Sequence, residues 1–140
     1  MVRASASKKL AALISMDDSC LYDFFDVHDL KLDQWNNCDG LDVLPLYSPH
    51  PVENNIYIFR SYDKTGTKTY AHLADLSSFK VLDRMTGALD GDLAKSFIEK
   101  IKADYLVNVD VKKVDIGGGM IHGEAIDFAD DESKKILLAH

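Results

Sequence analysis

The sequence predicts an α+β fold: N-terminal helices and an irregular loop, then a mostly antiparallel sheet packed by one amphipathic helix at 92–106. Three observations predict it. Apolar residues recur at helical spacing in the first 28 positions. From Asn55 onward, short apolar segments alternate with turn residues such as Asp63-Lys64-Thr65-Gly66. One long stretch, Asp92–Leu106, carries a sustained apolar stripe.

The elements follow in chain order. Ser7–Ser15 places Leu10, Leu13 and Ile14 on one face of a first helix. Asp17, Asp18 or Ser19 caps a second helix, whose inner face is Leu21, Phe24, Phe25 and His28 and whose outer face is Asp23, Asp26 and Asp29. Asp33–Pro51 contains Asn36-Asn37, Asp39-Gly40, Pro45 and Pro49, so an irregular loop is expected, with Asp39-Gly40 its tightest turn. Asn55–Tyr62 and Thr67–Leu73 read as a β-hairpin, with a short strand over 77–83 after it. In the helix 92–106, Leu93, Phe97, Ile98, Ile101 and Tyr105 make the stripe, and Asp90 or Asp92 supplies the cap. Val109–Ile116 alternates with a slip at Lys112-Lys113, which suggests a bulge. Met120–Phe128 and Lys134–Ala139 then form a terminal hairpin about Asp130-Asp131-Glu132-Ser133. The whole is expected to be a single domain over 1–140, with a helix-and-loop arm at 1–50 and the sheet plus helix at 55–140.

Composition bounds the function. The chain has 140 residues, 46% hydrophobic and 28% charged, which suits one globular domain with its own core. No apolar run reaches membrane-spanning length. The net charge of -7 argues against nucleic-acid backbone binding, which Lys and Arg drive by releasing counterions. Eight Asp against one Lys fall within 17–42, an acidic face suited to solvent or to a basic protein partner. Cys20 and Cys38 match no metal or redox spacing and are expected as small buried hydrophobes. There is no secretory h-region, so the cytoplasm is the expected compartment, although the acid-free stretch 1–15 has transit-peptide composition. The apolar run at 134–139 suggests a domain of a longer protein.

No P-loop, EF-hand or nucleophile-elbow pattern is present, and no cofactor is identified. Gly117-x-Gly119-x-x-x-Gly123 lacks the helix and the downstream acid that a dinucleotide fingerprint needs. One cluster carries a site hypothesis, the segment Gly117–Glu124. Gly117, Gly118 and Gly119 permit an anion-binding nest of backbone N–H groups. His122 and Glu124, two apart on the expected strand, share a face, so Glu124 is the expected partner of a His122 base. Across the expected hairpin His140 joins them, a set of two imidazoles and a carboxylate able to hold a metal. His72 shares its strand face with Lys68 and Tyr70 and would add to a small phosphate pocket.

Two readings follow. The first is a small acidic ligand-binding or regulatory domain that takes a small anionic ligand or a protein partner, with a homo-oligomer formed through 1–50. The second is a small hydrolase or phosphatase using His122 and Glu124 beside the Gly117–Gly119 turn.

Overall fold

The computed structural model describes residues 28–50, 54–86, 93–117 and 122–139. The chain divides into two compact units, 1–30 and 31–140, and every element named below lies in the second. The two expected N-terminal helices, the Gly118 and Gly119 positions and His140 lie outside the described residues.

The fold class differs from expectation. The described chain is mostly sheet, with two short helices, and the sheet is mixed. Its strands, in spatial as in chain order, are β1 (Asn36–Cys38), β2 (Leu41–Tyr47), β3 (Asn55–Asp63), β4 (Gly66–His72), β5 (Val111–Asp115) and β6 (Ile136–Ala139). The helices are α1 (Phe79–Arg84) and α2 (Lys95–Tyr105). β1 to β4 are antiparallel neighbours, whereas β5 and β6 each join in parallel. Parallel neighbours need a crossover, and residues 73–110 and 116–135 supply the two.

The expected loop over 33–51 instead holds the first hairpin of the sheet, over 36–47. Asp39 and Gly40 have φ of 51° and 91°, the paired positive values of a type I′ turn. Cys38 therefore pairs with Leu41, and the strands run on to Asn36 and Tyr47 despite the Asn and Pro residues. Cys38 is half-buried. The second hairpin is tied by Asp63, whose Oδ1 accepts from the N–H and the hydroxyl of Thr65, both at 2.6 Å.

Three further expectations are corrected. Residues 79–84 form a helix because the Ser78 hydroxyl caps it, accepting from Val81 N–H at 3.3 Å. β5 has no bulge at Lys112-Lys113, for its register to β4 and β6 is unbroken. Lys112 faces the core, fully buried, where its ammonium pairs with the buried Asp131 and donates to Tyr105 O at 2.9 Å. Among the described residues of the expected terminal hairpin, 122–128 does not pair with 134–139: β6 pairs with β5, and Ala125–Phe128 is a 3-10 turn.

The core lies on one face of the sheet. Ile56, Ile58, Ala71, Leu73 and Val114 meet Leu82 of α1 and Ile98, Ile101 and Tyr105 of α2, with Leu76 and Phe128 completing it. No helix among the described residues is long and apolar enough to cross a membrane.

Candidate functional site

β2, β4, β5 and β6 run in the same direction, so their C-terminal ends lie along one edge of the sheet. Such an edge is where open sheets gather ligands, because the chain there leaves the ladder in loops. His50 follows β2, the segment 73–78 follows β4, and Asp115 closes β5.

The residues are brought together by buried polar ties. The Ser77 hydroxyl donates to Pro49 O at 2.7 Å, which fixes the chain just before His50. Ser77 also forms a β-bridge with His122. The Tyr105 hydroxyl lies 2.7 Å from Ser48 Oγ and bonds the Ser77 backbone, so α2 holds both loops. Burial pushes the pKa of that phenol up to about 12, which keeps it a neutral structural group. As a result the rings of His50 and His122 lie 5.9 Å apart.

His122 Nδ1 is 2.7 Å from Asp115 Oδ2. Asp115 is 1% exposed and His122 18%, so a buried carboxylate is compensated by an imidazole at the rim. A carboxylate accepts, so Nδ1 carries the proton in this contact. Gly123 makes the approach possible. A Cβ there would stand 2.3 Å from Leu76 Cδ1 and 3.0 Å from Asp115 O. The need for glycine at this position is therefore close packing.

The remaining expected residues fall elsewhere. The partner of His122 is Asp115, not Glu124. The same-face argument required a regular strand over 122–124, and the chain instead enters the 3-10 turn at Ala125. Glu124 is exposed and caps that turn, while its own N–H donates to Asp127 Oδ2 at 3.1 Å. Asp127 Oδ2 also accepts from Phe79 N–H at 3.1 Å, tying the turn to the start of α1. Gly117 directs its N–H at Asp115 Oδ1, 3.5 Å away, rather than into a nest. Among the described residues no three His, Cys, Asp or Glu side chains are grouped as metal ligands. His72 shares its face with Lys68 and Tyr70, as expected, and its Nδ1 accepts from Ala74 N–H at 3.0 Å.

His50, Ser77 and Asp115 were not among the expected site residues. Asp115 had a usable signal: a carboxylate at the end of an apolar strand, next to glycines. His50 had none, since its loop is brought to the site by ties across long sequence separations, from Ser77 to Pro49 over 28 positions and from Tyr105 to Ser48 over 57.

No family model and no curated protein matches the chain. Among solved structures it is similar to the metallo-beta-lactamase fold protein YhfI from Bacillus subtilis, with 19% identity and a TM-score of 0.47. That likeness covers 79% of this chain and 40% of the other, so the chain spans about two fifths of that protein's length.

Proposed function

We propose that this chain is a small hydrolase acting on anionic esters, with His122 as general base and Asp115 as its positioning residue. The observation that carries this is the 2.7 Å contact of His122 Nδ1 with a carboxylate that is itself 1% exposed. A buried carboxylate on Nδ1 fixes tautomer and ring orientation and offsets the charge the ring gains on taking a proton. In the reaction, His122 Nε2 takes a proton from water while the water oxygen bonds to phosphorus. The bond from phosphorus to the leaving oxygen breaks, and the proton passes from the imidazolium to that oxygen. His50, 5.9 Å away ring to ring, is the second imidazole at the site. Lys113, beside His72 across β4 and β5, supplies positive charge for the anion.

The test is turnover of p-nitrophenyl phosphate and bis(p-nitrophenyl) phosphate by the full chain. His122→Ala lowers kcat by about 10²–10⁴, the usual worth of a positioned base. Asp115→Asn lowers kcat and distorts its pH profile, while Glu124→Gln leaves both unchanged. A His122→Ala protein that is folded and turns over at the wild-type rate ends this reading.

A further inference from the structure

Alternate residues of β3, β4 and β5 turn away from the helices and make a second face. A continuous run of rings occupies its centre. Tyr57 and Phe59 lie 6.2 Å apart, Phe59 and Tyr70 lie 5.9 Å apart with planes at 16°, and Tyr70 meets His72 edge-on at 6.3 Å. All four residues are half-buried. The register orders the charges around them. Lys113 stands beside His72, and Lys68 stands opposite Ser61 at the far end of the rings. Asp115, which holds His122, is two residues beyond Lys113 on the same face, roughly 7 Å along the strand.

We propose that this face binds a nucleoside phosphate, its base stacked on Tyr57, Phe59 and Tyr70 and its phosphoester at Lys113 and His72, beside His122. The proposal rests on the hydrolase reading for turnover and names its substrate class. Flat rings give a base a stacking surface whatever its hydrogen-bonding edge. His72 is set to donate, because its Nδ1 already accepts from Ala74 N–H and its proton therefore sits on Nε2. The cations here are few and the chain carries -7 overall, which suits a single nucleotide and disfavours a long polyanion.

Calorimetric titration of the full chain with AMP, adenosine and ribose 5-phosphate tests this. AMP binds at least about fivefold tighter than ribose 5-phosphate, the lower end of what one stacked base is worth, and tighter than adenosine, which lacks the phosphoester. Tyr70→Leu weakens AMP by about fivefold or more and leaves ribose 5-phosphate unchanged. Lys113→Met weakens both phosphates, reduces their salt dependence and spares adenosine. Saturation transfer between adenine and the ring protons of the unaltered protein gives the same answer should a variant fail to fold. Equal affinity for AMP and ribose 5-phosphate, or wild-type AMP binding by folded Tyr70→Leu, overturns the proposal. Base-dependent AMP binding without turnover of any nucleoside phosphoester ends the hydrolase reading and leaves the binding face standing. Turnover without base-dependent binding does the reverse.

Discussion

The two faces of the sheet are made by alternate residues of the same strands, yet they are built to opposite ends. On the helix face of β3, β4 and β5, Ile56, Ala71, Lys112 and Val114 have no exposure at all. One residue along, Tyr57, Tyr70, His72 and Lys113 are half-buried. The first face is closed by α1, α2 and Phe128 and supplies the stability. The second leaves Tyr57, Tyr70, His72 and Lys113 partly exposed, and Asp115 lies on it, buried, at the strand end. A sheet can hold both only because its side chains alternate, so one strand serves a packed face and a partly exposed one.

The largest expected effect breaks the packed face. Lys112→Met leaves Asp131 buried without its ammonium, and we expect a loss of about 3–5 kcal/mol in chemical denaturation. Lys112→Met with Asp131→Leu recovers most of that, because an apolar pair of similar volume fills the same space. A double variant as unstable as the single one would show that the ion pair itself, rather than the penalty of orphaning a charge, holds this face.

The next effect lies where the two faces meet. Gly123→Ala drives a methyl group into Leu76 Cδ1 and against Asp115 O. Overpacking of this kind costs about 1–3 kcal/mol, and the strain falls on the backbone that carries Asp115. We expect a lower Tm together with a weakened His122–Asp115 contact, visible as a change in the imidazole NMR signals. A loss of stability with those signals unmoved would separate the packed core from the site.

The smallest effect sits at the solvent margin of the packed face. The Lys134 ammonium and the Thr69 N–H and hydroxyl hold the Asp110 carboxyl down at about 2, against 3.8 unfolded. A depressed carboxylate stabilises the fold above its unfolded pKa, and that contribution is lost as pH falls from about 4 toward 2. Asp110→Asn is therefore less stable than the parent at pH 6, and the gap closes on acidification. Salt shrinks the gap, since Lys134 is largely exposed. Denaturation midpoints of both proteins between pH 6 and 2.5 measure it, and a gap that does not change with pH would deny Asp110 this role.

What could be read in advance followed locality. The Asp63–Gly66 hairpin was legible because Asp63 and Gly66 make the turn with their own neighbours. Asp39-Gly40 was legible as a turn, but its strands were not, because Asn36, Asn37 and Pro45 carry loop signals that pairing with β3 overrides. The helix over 79–84 was hidden by a short β-branched and aromatic segment whose Ser78 cap decides the matter. In the candidate site, His122 stands out from residue type alone. Its contact with Asp115 does not, since Glu124 and Asp115 are both acids close in sequence to His122 and only the path of the backbone selects one.

By itself the sequence determined the Asp39-Gly40 and Asp63–Gly66 turns and the presence of ionisable groups near the glycines, for those depend on residues a few positions apart. The expected helix 92–106 and its stripe were corrected: α2 begins at Lys95 with Ala94 at its cap, and Phe97 is exposed. The tertiary structure alone decided that β5 and β6 join in parallel, that Lys112 is buried with Asp131, and that His122 meets Asp115 beside His50. Each of those depends on strand register and crossover, through which distant segments meet, and no local preference encodes such a meeting.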